Sequence, residues 1–150
     1  MQWLIAGLIA AAVCAGRASA EETVPWDDLS AGNTGFSAIE VCHTDPVQIY
    51  CAGSGGVFKG TAESKTREPV LSLMPGQKAV SLVCGNQGSG TVYAVFTNGV
   101  YHTPDAGRSW RTIYSSASGG CTAVAEAGKK VFVGTETGLL YAESVSNQWK

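Results

Sequence analysis

The chain has 150 residues, ten Lys plus Arg against twelve Asp plus Glu, 45% hydrophobic residues and 19 glycines. That length supports one modest core rather than several independent domains. The slightly acidic balance argues against nucleic acid as a partner, because phosphate binding needs clustered positive charge.

Residues 1–20 open with the apolar run Met1 to Val13, too short to remain in a bilayer as a spanning helix. Ala18-Ser19-Ala20 supplies the small-x-small pattern cut by signal peptidase, so residues 1–20 are expected to be a signal peptide and the mature chain to start at Glu21. Bulky Val13 disfavours lipoprotein cleavage before Cys14, and a permanent anchor would want a firmer cationic flank. No second apolar segment follows, so no membrane span is expected after cleavage, and the chain is expected to be extracytoplasmic, either periplasmic or secreted. Removal of the leader with Arg17 leaves nine basic against twelve acidic residues, a formal charge of −3.

Self-similarity at a period near 40 residues is the sequence mark of a repeat array. Three segments align without gaps: Ile49 to Lys59, Val92 to His102 and Val131 to Tyr141, their starts 43 and 39 residues apart. Each reads β-branched residue, aromatic residue, Gly-containing turn, Gly, aliphatic, apolar, which is a hairpin whose turn has a residue free to take positive φ. An apolar stretch precedes each hairpin: Phe36 to Cys42, Val80 to Cys84, and Cys121 to Ala125. A first strand, a hairpin and a following strand make a four-stranded antiparallel sheet, the size of a propeller blade. The expected fold is all-β, a partial β-propeller of about three such blades over 36–78, 79–118 and 119–150, the last incomplete.

Four cysteines follow the leader: Cys42, Cys51, Cys84 and Cys121. In an exported chain they point to disulfides with three possible pairings. Cys42 and Cys51 flank a short turn and are the favoured pair. That choice leaves Cys84 with Cys121, whose positions at opposite ends of their strands count against it. Zinc held by Cys42, His43 and Cys51 is the sharper alternative, but no C-x-x-C spacing supports it. The glycine-rich segments Gly53 to Gly56 and Gly85 to Gly90 match no phosphate-loop motif and read as turns.

The second repeat carries the most specific motif, Thr103-Pro104-Asp105-Ala106-Gly107-Arg108-Ser109-Trp110, which fits (Ser/Thr)-x-Asp-x-Gly-x-(Ser/Thr)-Trp. On these residues, roughly 24 to 150 resemble the Asp-box, or BNR, propellers: sialidases, sortilin-type receptors and photosystem assembly factors. In such a turn Asp105 bonds backbone N–H groups, Gly107 takes the left-handed conformation, Trp110 packs on neighbouring strands, and Thr103 and Ser109 add local hydrogen bonds. These five residues are therefore expected to be structural rather than catalytic. The other copies are degenerate: Arg67 and Trp149 align with Trp110, and Ala62 and Ser144 with Asp105. Trp26 to Gly32 aligns with Trp110 to Ser116, so 21–35 is expected to carry the fourth strand of a preceding or closing blade. Three blades cannot close a ring, because propellers need roughly four or more. Further blades downstream, or a second copy, would have to complete it.

The sialidase-like members use a carboxylate acid or base, a Tyr-Glu nucleophile pair and three arginines on a substrate carboxylate. The mature arginines here are Arg67, Arg108 and Arg111, two of them in or beside the Asp-box turn, and none opens the first blade as the family motif would have it. His43 and His102 lie near no recognisable Ser or Cys nucleophile motif. The expected function is a non-catalytic binding or assembly propeller, without cofactor or metal, presenting the 43–48 and 85–90 loops to a protein or glycan. The alternative is the N-terminal part of a sialidase-like glycoside hydrolase whose catalytic residues lie in further blades.

Overall fold

The computed structural model describes residues 35–64, 66–85, 90–117, 120–143 and 148–150. The proposed signal peptide and the Trp26 to Gly32 strand lie outside the described residues. Eleven strands form three antiparallel sheets among the described residues. The first sheet is β1 (Phe36–Cys42), β2 (Gln48–Gly53), β3 (Gly56–Thr61) and β4 (Glu68–Ser72). The second is β5 (Ala79–Cys84), β6 (Val92–Phe96), β7 (Gly99–Thr103) and β8 (Arg111–Ser115). The third holds three strands, β9 (Cys121–Ala127), β10 (Lys130–Thr135) and β11 (Gly138–Glu143). Each sheet pairs strictly in chain order, which makes it a propeller blade, and the chain is a partial β-propeller.

β1 packs on β5 and β5 on β9, so the first strands converge on one side and β4 and β8 form the outer rim. Side chains alternate between the two faces of a strand. Val92, Ala94 and Phe96 of β6 therefore enter a core against Cys42, Tyr50, Ala52 and Val57 of the first blade. Tyr93 and Val95 enter a second core against Cys121, Val124, Val131 and Val133 of the third. All five β6 residues are buried, and each large apolar side chain so buried contributes roughly 1.5–3 kcal/mol.

The hairpin segments and first strands expected from the repeats are the observed β2–β3, β6–β7, β10–β11, β1, β5 and β9. The hairpin turns do not all rest on a residue at positive φ. Of the three aligned glycines, only Gly56 has positive φ, at 132°. Gly99 is needed for a different reason: a Cβ there would stand 2.5 Å from the Tyr114 carbonyl oxygen on β8.

The expected Cys42–Cys51 disulfide is also corrected. Cys42 pairs across β1–β2 with Gln48, while Cys51 pairs with Ile39. The three-residue offset puts the two sulfurs on opposite faces of one sheet. Cys42 instead faces the second blade and is bonded to Cys84, at a Cα separation of 5.7 Å. Cys51 and Cys121 are buried free thiols. Burial raises both, and in Cys51 the adjacent Arg67 guanidinium partly opposes that rise. The proposed zinc ligands are likewise separated, and no group of three His, Cys, Asp or Glu among the described residues could hold a metal.

Candidate functional site

The β1–β2, β3–β4, β5–β6 and β7–β8 connections all leave the sheets at the same end, because each strand pair reverses direction. At the rim, the β7–β8 connection is the Thr103 to Trp110 turn. Thr103 Oγ1 donates to Asp105 Oδ1 at 2.7 Å and accepts from the backbone N–H of Gly107 at 2.9 Å. Asp105 Oδ1 accepts the Ser109 backbone N–H at 2.8 Å, and Oδ2 accepts the Ser109 hydroxyl at 2.6 Å. One carboxylate and two hydroxyls thus close the whole loop, with the charge of Asp105 strengthening the bonds it accepts. The Ser109 hydroxyl, the Ser109 N–H and Thr103 hold the Asp105 carboxyl down at about 2. Gly107 has φ of 89°, as expected, and Ala106 joins it in the left-handed region at 57°.

This turn also bridges blades, which the sequence did not reveal. Lys59 of the first blade donates to the Ala106 carbonyl at 3.0 Å, while the Ala106 N–H ties the turn to its own blade by donating to the Gly90 carbonyl at 2.8 Å. Val70 lies directly beside Gly107, and Trp110 packs on the core between the first two blades. Trp149 repeats this one blade on: it donates to the Ile113 carbonyl at 2.8 Å and stacks edge-on against Tyr114.

Nearer the axial side, the β1–β2 and β5–β6 connections stand beside the Cys42–Cys84 disulfide. A shallow concavity of about 250 Å³ opens there, lined by Glu40, His43, Thr44, Gly85 and Thr91 among others. Glu40 accepts the Cys84 backbone N–H at 3.2 Å, tying the two blades a second time. Thr44 fixes the loop by donating to the Pro46 carbonyl at 2.8 Å, while His43 and Asp45 stay exposed. Of the 85–90 loop expected to share this surface, Gly85 and Gly90 are placed here and residues 86–89 lie outside the described residues.

The arginines do not form a common grip. Arg67 is buried and donates to the carbonyls of Thr61, Ser64 and Thr66. Arg111 Nε donates to His102 Nδ1 at 3.4 Å, and Arg108 stands exposed in the rim turn. His102 is buried and stacks on Tyr93, ring centroids 4.9 Å apart. Burial, with the Arg111 charge adding to it, pushes His102 down to about 4. Burial and then Glu126 push Tyr93 up to about 12. His102, Tyr93 and Glu126 thus form a polar knot between the second and third blades. No repeat pattern could have signalled it, because the aligned positions carry Lys59 and Tyr141, Tyr50 and Phe132, and Val41 and Cys84.

No family model and no curated protein sequence matches the chain. Solved structures do share its fold. The extracellular domain of a hybrid two-component system from B. thetaiotaomicron matches at 13% identity and a TM-score of 0.58, covering 69% of this chain and 14% of its own. A chain of the mitotic checkpoint complex matches at 13% identity and a TM-score of 0.58, covering 97% of this chain and 48% of its own. YCF48 from Cyanidioschyzon merolae is more distant, with a TM-score of 0.46 at 17% identity over 65% of this chain and 33% of its own. These neighbours are β-propeller proteins, and the chain spans less than half the length of each.

Proposed function

We propose that the chain is an exported, non-catalytic binding or assembly propeller of the Asp-box type, with Thr103, Asp105, Gly107, Ser109 and Trp110 as its structural Asp-box. Its contact surface is the blade end bearing the 43–48 and 85–90 loops. One observation carries the reading: Arg67, Asp105 and Arg111 are occupied in holding the loops and strands of their own blades, while the loops beside the disulfide leave His43 and Asp45 exposed. Arg67 and Arg111 would have to leave carbonyl and imidazole partners before gripping a substrate carboxylate. Export is supported by the apolar leader and by the interblade disulfide, which persists in oxidising compartments.

The test is binding of the immobilised protein to a glycan panel and to purified proteins of the same compartment, beside the variant H43A/D45A. Saturable binding that this variant weakens, with no turnover of the bound glycan, is the expected result. Hydrolysis of a glycan would instead establish the glycosidase reading. Binding that the double variant leaves unchanged would move the contact surface elsewhere.

A further inference from the structure

The geometry points to a second binding site at the hairpin end of the blades, opposite the 43–48 and 85–90 loops, which takes a small zwitterion of the amino-acid class. It lies apart from the contact surface proposed above and is independent of what those loops receive.

The three blades share a feature where the first strand of each enters its sheet. Phe36 and Ala38 face Gly53 and Ala52, Ala79 and Ser81 face Phe96 and Val95, and Cys121 and Ala123 face Thr135 and Gly134. Ser37, Val80 and Thr122 are thus the extra residues of three equivalent β-bulges. A bulge re-aims its side chain and is over-represented beside functional sites. All three line one concavity of about 410 Å³, within the size range of small-molecule sites. Its frame is stitched across the blades. Ser37 Oγ donates to the Ala79 carbonyl at 2.8 Å, joining the first blade to the second. The Cys121 N–H donates to the Thr97 carbonyl at 3.2 Å, joining the third blade to the second, and the Thr97 N–H donates to the Lys78 carbonyl at 3.0 Å.

Two opposite charges line this concavity, Lys78 just ahead of β5 and Glu136 in the β10–β11 turn, and both are exposed. Among the described residues neither side chain has a partner, and no ion pair joins the two. Glu136 is positioned by its own N–H, which donates to the Gly120 carbonyl at 3.1 Å. Its Oε1 lies against the Gly120 backbone, where an added Cβ would stand 3.2 Å away. The hydroxyls of Thr97 and Thr122 line the same space over the buried Ala79. An ammonium and a carboxylate that face one cavity without pairing are complemented by a ligand carrying both charges, its carboxylate on Lys78 and its ammonium on Glu136. A ligand with a single charge would satisfy one of them and meet the other as a like charge, which is unfavourable.

The experiment is calorimetric titration of the full chain, its disulfide intact, with glycine, β-alanine and glycylglycine, zwitterions whose charges stand progressively further apart. Acetate and methylammonium, with one charge each, are titrated beside them. The expected result is saturable binding of at least one zwitterion, about tenfold tighter than either single-charge probe, and weakened about tenfold by Lys78→Gln and by Glu136→Gln, the worth of one charge-assisted hydrogen bond. Both side chains are exposed, so thermal melts of the two variants should match the wild type. H43A/D45A should bind the zwitterion as the wild type does, and a loss there would overturn the inference by moving the site to the loop end. A chain that binds none of the three zwitterions overturns it as well. So does binding of acetate or methylammonium as tight as that of the zwitterions, and so does zwitterion binding that both charge variants leave unchanged.

Discussion

Asp105 and His102 lie three residues apart and answer to pH for opposite physical reasons. The Asp105 carboxylate is favoured by the donors of Ser109 and Thr103, so its folded value, about 2, lies below the ordinary 3.8. Its contribution is present above pH 3.8 and is lost as pH falls towards 2. Asp105→Ala is expected to lower the thermal midpoint at neutral pH, and Asp105→Asn to lower it less, since an amide oxygen still accepts the Ser109 N–H. Equal midpoints for wild type and Asp105→Ala would show that the turn is held by its neighbours alone. His102 is neutral because it is buried, and Arg111 donating to Nδ1 leaves the ring proton on Nε2. Between pH 6.5 and about 4 the unfolded chain binds a proton that the folded chain refuses, so stability falls with pH through that window by roughly 3 kcal/mol. Denaturant melts at pH 7 and at about pH 4.5 should show the drop, and His102→Phe, which keeps the stack on Tyr93, should flatten it.

At the scale of elements, the junction between the first two blades depends on a covalent tie. The Cys42–Cys84 bond spans 42 residues, and a loop of that size restricts the unfolded chain enough to be worth roughly 4 kcal/mol in the chain-entropy account. Cys42→Ser with Cys84→Ser is therefore expected to lower the denaturation midpoint sharply, with the slope of the transition rising as the unfolded state expands. A midpoint unchanged in reducing and oxidising buffer would sink that expectation. The same bond marks where sequence reasoning stopped. The hairpins could be read because two-residue periodicity and glycine-punctuated turns are local, and the strand faces followed from alternation. Which blade Cys42 faces is a matter of how two sheets stack, and nothing local separates Cys51 from Cys84 as its partner. The Thr103 to Trp110 turn could be read in its internal chemistry for the same reason. Its docking on Lys59 and Val70 could not, because those contacts join positions in different blades, far apart along the chain. Arg67 shows the converse: aligned with two tryptophans, it holds a buried position but turns its guanidinium back onto the carbonyls of its own loop.

Across the whole molecule the three blades should not open together, because in a linear array each repeat is stabilised by its own sheet and by its nearest neighbours. The second blade has a neighbour on both faces, and all of β6 is buried between them. Among the described residues the third blade packs on one other blade and has no interblade disulfide, and Leu139 of β11 is exposed. Beside the core of Cys121, Val124, Val131 and Val133, Trp149 anchors this blade through Ile113 and Tyr114. Hydrogen exchange on the disulfide-bonded chain at low concentration should therefore rank β6 slowest and β11 fastest, with β2 between them. Trp149→Ala should speed β10 and β11 while leaving β2 unchanged. Exchange in β11 as slow as in β6 at low concentration would show that the third blade is held by something other than the junction with β6 and β8.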